Sequence, residues 1–253
     1  MGRVIALANQ KGGVGKTTSA VNISAYLAAR GKQVLLVDID PQGNAGSGLG
    51  LDIHSLETSI YDVLLEERSA AEVIVESEYS NLSILPSNVD LSGFEVDMMG
   101  RDRREYILTE ALRQIKEDYD FMIIDCPPNL GILTLNALTA AEEVIIALQT
   151  EYYALEGLTQ LMKVIQLVQG SLNPGLQLGG VILTMFDQRT SLARQVVEDV
   201  RSHFGDIVFA SVVPRNIKLS EAPSFGQFIG QYAPESAGAA AYLKLTDEVL
   251  ARG

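Results

Sequence analysis

The stretch Gln10-Lys11-Gly12-Gly13-Val14-Gly15-Lys16-Thr17-Thr18 packs three glycines, two lysines and two threonine hydroxyls into nine residues. Glycines let successive backbone N–H groups turn inward around phosphate oxygens, and a helix that starts there adds its positive end. Lys16 then reaches the terminal phosphates of a nucleotide, and the Thr17 hydroxyl ligates Mg²⁺. The spacing departs from the standard phosphate-binding loop, which has glycine five residues before the final Gly-Lys pair. Position 10 is Gln, and a second lysine, Lys11, stands beside it.

Three carboxylates complete the set. Asp38 and Asp40 are separated by one residue, and Pro41 and Gly43 end the strand that delivers them, so Asp40 is expected in a turn facing the loop. Phe121-Met122-Ile123-Ile124 is an apolar run ending in Asp125, as in a Walker B element whose acid lies across from the loop and holds Mg²⁺ or its water. Chance can end any strand in aspartate, but three such features at the ends of three strands point to one site.

The elements that position these residues alternate along the chain. Val4–Ala8 reads as a buried strand, and Ser19–Arg30 as a helix closed by Gly31. Strands follow at Gln33–Val37, Leu82–Pro86, Phe121–Asp125, Val144–Leu148, Val181–Phe186 and Ile207–Val212. Helices are expected at 59–66, 70–77, 101–116, 130–140, 155–169, 191–204 and 236–252, with Gly46–Gly50 as a flexible connection. Short joins between strands and helices predict an α/β fold, a mostly parallel twisted sheet with helices on both faces, of the P-loop NTPase type. No repeat, low-complexity tract or linker divides residues 1–253, so a single ATPase domain is expected.

Composition narrows the function. The chain is 47% hydrophobic with a mean hydropathy of +0.16, which suits an ordered globular protein. The single cysteine, Cys126, excludes an internal disulfide and fits a reducing cytoplasm. No signal peptide or membrane-length apolar run is visible. A net charge of −13 argues against a protein that coats nucleic acid through overall basicity, but not against a local basic patch.

With the paired lysines in view, the loop resembles the deviant Walker A signature of the ParA/MinD class. The wider chain resembles the ParA/Soj family of chromosome- and plasmid-partition ATPases. The resemblance covers Asn9–Thr18, Val37–Asn44, Asp125–Pro128, Glu151–Gly157, Thr184–Asp187 and Val213–Pro223. It implies ATP and Mg²⁺ as ligands, with Gly12, Gly13, Val14, Gly15, Lys16, Thr17 and Thr18 as the phosphate cradle. It further implies a homodimer that ATP closes face to face, in which Lys11 crosses to the partner's phosphates. Asp40 would orient the attacking water, and Thr17 and Asp125 would hold Mg²⁺. Met185 and Phe186, with Pro214 and Asn216, fall near the adenine.

The resemblance also implies non-specific binding to double-stranded DNA by the ATP form. Arg189 to Lys218 contains five basic residues against three acidic ones, and Arg189, Arg194 and Lys218 are the candidate contacts. A ParB-type centromere-binding partner with a basic segment would stimulate a weak hydrolysis, giving a cytoplasmic, nucleoid-associated protein. Alternatives are an ATPase that positions a protein assembly on the nucleoid, or a MinD-type membrane-cycling ATPase. The last needs a basic amphipathic tail, whereas 242–250 carries one lysine against two acids, so no membrane partner is expected. A nitrogenase-type iron protein needs two cysteines per subunit and does not fit. Only three residues precede the first strand, so operator binding through an N-terminal helix-turn-helix domain is not expected.

Overall fold

The computed structural model describes residues 2–152 and 154–252. Its frame is an eight-stranded sheet made of β1 (Arg3–Ala8), β2 (Val34–Asp38), β3 (Val75–Glu76), β4 (Leu82–Leu85), β5 (Phe121–Asp125), β6 (Glu143–Gln149), β7 (Gln177–Phe186) and β8 (Val208–Pro214). Their spatial order is β3-β4-β2-β5-β1-β6-β7-β8. All pairings are parallel except β3 with β4. The helices are α1 (Lys16–Ala29), α2 (Asn44–Ser47), α3 (Ile60–Leu64), α4 (Ala70–Val73), α5 (Phe94–Asp97), α6 (Ile107–Arg113), α7 (Ile132–Ala140), α8 (Ala154–Ser171), α9 (Ser191–Phe204), α10 (Ile217–Glu221), α11 (Ile229–Tyr232) and α12 (Ala237–Ala251). This is the α/β architecture that the alternation predicts.

Strand residues point alternately to the two faces, and both faces are covered. Val4, Ala6, Leu35, Val37, Met122 and Ile124 pack with Leu108, Leu112, Ala137, Leu161 and Val196 of α6 to α9. Their strand neighbours Ile5, Leu7, Val34, Leu36 and Ile123 pack with Ile23 and Leu27 of α1 and Leu245 and Val249 of α12. Two apolar layers therefore clamp the central strands. All parallel strands end on one edge of the sheet, where β1, β2 and β5 deliver their chemistry together. In register, Asp38 lies beside Asp125, and Asp125 beside Leu7, the residue before the loop's entry at Ala8.

The structure corrects several expectations. Helix α1 starts at Lys16, three residues before Ser19, because Lys16, Thr17 and Thr18 form its first turn. Gly46–Gly50 is anchored and not a free connection: its start belongs to the helical turn Asn44–Ser47, and Leu49 is buried. The helix expected to run to Ser77 ends at Val73, and Val75–Glu76 turns into an edge strand, antiparallel to β4. The helix expected from Arg101 to Lys116 is broken. Arg103 adopts φ +57, a 3₁₀ turn covers Arg104–Tyr106, and α6 proper spans Ile107–Arg113. Helices α10 and α11 were not expected.

Candidate functional site

Helix α1 begins without a side-chain cap. Its N-cap is Gly15 at φ +87, a left-handed conformation that costs glycine nothing. No side chain accepts from the first turn, so its N–H groups remain directed at the space above the loop. That space is a cavity of about 440 Å³ lined by Gly12, Gly13, Gly15, Lys16, Thr17, Thr18 and Asp40. Gln42, Asn44, Ser47, Pro128, Pro223 and Gln227 also line it and were not among the expected site residues. Val14 is buried; its carbonyl accepts a 2.7 Å hydrogen bond from the Thr184 hydroxyl, which fixes the loop to β7.

The Lys16 side chain folds back under the loop, and its ammonium donates to the Lys11 carbonyl at 3.2 Å. Burial lowers its pKa, while the neighbouring carboxylates of Asp125 and Asp40 oppose that shift. Beneath it, Asp125 is fully buried, and neither of its carboxylate oxygens finds a hydrogen-bond partner among the described residues. Burial raises its pKa well above the ordinary range, and the neighbouring charge of Asp38 raises it further. Thr17 and Lys16 pull in the other direction. An orphaned, buried carboxylate beside a lysine and a threonine hydroxyl is an arrangement that a cation would satisfy.

Asp38 is a positioning residue that the Asp-x-Asp spacing hinted at but did not define. One of its carboxylate oxygens accepts from the Asp40 N–H at 3.0 Å, and the other from Ala45 and Gly46 at 2.9 and 3.3 Å. It thereby caps α2 from a distance and sets the turn that presents Asp40. Burial pushes its pKa up to about 7 against the pull of those three N–H bonds, with the Asp40 charge adding to the rise. Asp40 itself accepts from the Gln42 N–H at 3.0 Å.

A second cavity, of about 470 Å³, adjoins the first and shares Gly15, Thr18, Met185, Leu219 and Pro223 with it. Met185, Pro214 and Asn216 line it. Met185 holds φ +52, an unusual backbone state at the wall between the two cavities. The Asn216 side chain accepts from the Lys218 N–H and starts α10, which closes the cavity. Phe186 is not among the lining residues.

Lys11 stands apart from this set. It lines neither of these two cavities, is half exposed, and its ammonium pairs with Glu151 at 3.0 Å. Arg215 approaches the same carboxylate at 4.0 Å, and the Gln149 amide donates to it at 2.6 Å. Glu151 opens the Glu151–Gly157 motif, and 140 residues of chain separate it from Lys11. Tyr153 of that motif lies outside the described residues. Arg189, Arg194 and Lys218 are all exposed. Arg189 forms a forked pair with Asp187, Arg194 donates to the Gln188 carbonyl, and Lys218 pairs with Glu221 at 2.8 Å.

Known proteins place this geometry. A family model described as an AAA domain matches residues 2–178. The sporulation initiation inhibitor protein Soj of Bacillus subtilis is 51% identical over all of both chains. The chromosome partitioning protein ParA of Caulobacter vibrioides is 52% identical over 99% of this chain and 94% of its own. Among solved structures, the Mycobacterium smegmatis protein called cobyrinic acid a,c-diamide synthase, with bound ATP analog and magnesium, is 41% identical with a TM-score of 0.87. It aligns with 99% of this chain and 95% of its own. The Pyrococcus furiosus cell division ATPase MinD is 30% identical over the full length of both chains with a TM-score of 0.83.

Proposed function

Because the chain belongs to the Soj/ParA family of chromosome-partitioning ATPases, we propose that it is an ATP-driven dimerisation switch that holds non-specific DNA in its ATP form. The supporting observation is the division between the two lysines of one loop. Lys16 is buried under the phosphate cavity, whereas Lys11 is exposed and turned outward.

In this reading the open amide end of α1 and the loop glycines cradle the ATP phosphates, and Lys16 balances their charge from below. The purine enters the second cavity, against Met185, Pro214 and Asn216. Thr17 and the orphaned Asp125 would hold Mg²⁺, which neutralises charge on the phosphates when bound. Asp40, fixed by Asp38, orients a water whose oxygen attacks the terminal phosphorus. The bond to the bridging oxygen breaks, and its electron pair leaves with ADP.

Lys11 is the cation for the partner protomer's phosphates. An exposed ion pair such as Lys11–Glu151 is worth about 0.2–1 kcal/mol, so its release is a small cost when two protomers close. Arg189, Arg194 and Lys218 likewise sit in exposed local contacts that DNA phosphates can replace. Dimerisation doubles that basic surface and links DNA binding to ATP. A ParB-type partner would accelerate a slow basal hydrolysis, and the protein would work at the nucleoid. Among the described residues no helix is long and apolar enough to cross a membrane.

Two variants separate the roles of the lysines. Lys16→Ala is expected to lose nucleotide binding in a fluorescent-ATP titration. Lys11→Ala is expected to keep nucleotide binding but to sediment as a monomer with ATP and to lose hydrolysis. Equal loss of nucleotide binding in both would remove the basis for a lysine acting across the dimer.

A further inference from the structure

The acidic surplus of this chain is local. Between Glu57 and Asp97 there are ten carboxylates and one basic residue, Arg68. Within that stretch, a 3₁₀ turn (Val89–Gly93) runs directly into α5. Its inward side is apolar and buried: Leu91, Phe94 and Met98 are at most 4% exposed. Its outward side is also apolar. Val89, Val96 and Met99 are 70%, 69% and 75% exposed, among the most exposed large hydrophobic side chains of the described residues.

All three project into solvent from one short run, made of the 3₁₀ turn, α5 and the residues that follow its C-cap. From Asn88 to Met99 there are three carboxylates, Asp90, Glu95 and Asp97, and no lysine or arginine. All three acids are exposed beside the stripe. Asp97 is held by the Tyr61 hydroxyl at 2.6 Å, and Asp90 accepts from the Asn88 amide at 3.0 Å, so part of the flank is fixed in place.

A short helical segment that buries one side and leaves an apolar stripe bare on the other has an unmet partner. We propose that this stripe is a docking surface for a basic, apolar-bearing segment of a partner protein. Two or three of its aliphatic side chains would cover Val89, Val96 and Met99 while its lysines or arginines face Asp90, Glu95 and Asp97. Charge complementarity selects this occupant over a second copy laid stripe to stripe, which would set carboxylates against carboxylates. The position is also near the chemistry. The chain leaving β4 passes the turn that presents Asp40, and a Cβ on Gly43 would lie 2.8 Å from the Ser87 carbonyl. The inference stands on the surface alone and does not depend on the nucleotide reading.

The test uses nucleotide-free protein and a fluorescein-labelled 15-residue peptide of leucine, lysine and alanine, with leucines at helical i, i+3, i+4, i+7 spacing. A scrambled peptide of the same composition is the control, and anisotropy is the readout. The ordered peptide is expected to bind more tightly than the scrambled one. The double variant Val96→Asp/Met99→Asp should weaken binding at least tenfold although it adds two negative charges, which would strengthen a merely electrostatic attraction. Glu95→Lys should also weaken it. If the double variant disturbs folding, as shown by its melting temperature, Val96→Ser/Met99→Ser gives the same reading. Equal binding of the scrambled peptide, or binding unchanged or tightened in the aspartate variant, overturns the proposal. So does unchanged peptide binding together with loss of ATP-dependent dimers, which would assign the stripe to contact between copies of this chain.

Discussion

Replacing Asp38 by asparagine tests whether the buried carboxylate beneath the Asp40 turn carries the electrostatic cost that the geometry implies. Asp38 is fully buried, and burial holds its pKa at about 7, against an ordinary value of 3.8. Its folded value lies above its unfolded value, so the protonated form favours folding. That contribution is full below about pH 4 and is lost as pH rises through about 7. A rise from 3.8 to about 7 makes the loss between pH 5 and pH 8 about 2–3 kcal/mol, at 1.36 kcal/mol per pH unit. Asparagine removes that dependence but turns an amide nitrogen toward N–H donors, losing one or two of the three bonds from Asp40, Ala45 and Gly46, at about 1–3 kcal/mol. The variant should therefore be less stable than the parent at pH 5, where the parent is mostly protonated, and comparable to it or better at pH 8. Urea unfolding of nucleotide-free protein at both pH values measures the difference. A parent-minus-variant stability gap that does not change with pH would refute the argument, because a carboxylate with an ordinary pKa is already ionised across that range.

Further outcomes follow from the same contacts. Glu151→Gln frees Lys11 from its exposed pair, and ATP-dependent dimers should form at a concentration up to about fivefold lower in sedimentation experiments, matching 0.2–1 kcal/mol. Weaker dimers would instead assign Glu151 to the contact between protomers. Tyr242→Phe removes the buried 3.0 Å bond between the Tyr242 and Ser19 hydroxyls that ties α12 to α1. A loss of about 1–2 kcal/mol is expected, read as a fall of roughly 2–8 °C in melting temperature. Ile123→Ala, in the central strand β5, should cost about 2–5 kcal/mol by urea unfolding because both neighbouring strands hold the cavity open.

What the sequence made legible and what it hid have distinct physical causes. The glycine loop, the Asp38-Ile39-Asp40 turn and the strand ending in Asp125 are local patterns, and parallel pairing alone brings their ends to one edge. Helix α1 was misplaced by three residues because Lys16 and the two threonines act both as ligand groups and as helix. Gly46–Gly50 reads as a loop from its glycines, but the distant Asp38 carboxylate supplies the cap that makes Asn44–Ser47 helical. The strand Val75–Glu76 escaped notice because only pairing with β4 separates it from the preceding helical pattern. The Lys11–Glu151 pair spans 140 residues, beyond the reach of any local rule. No element was expected over Val89–Met99, because a five-residue 3₁₀ turn followed by a four-residue helix is too short to show a helical period in the sequence.

The most direct test of the proposed switch is binding to non-specific duplex DNA, measured with ATP, with ADP and without nucleotide at two salt concentrations. The account predicts binding with ATP alone. Affinity should fall steeply with salt, at a logarithmic slope of about −0.9 per phosphate neutralised, and Arg189→Ala and Lys218→Ala should each reduce that slope. Equal binding in all three nucleotide states, or none in any state while ATP-dependent dimers still form, would contradict it.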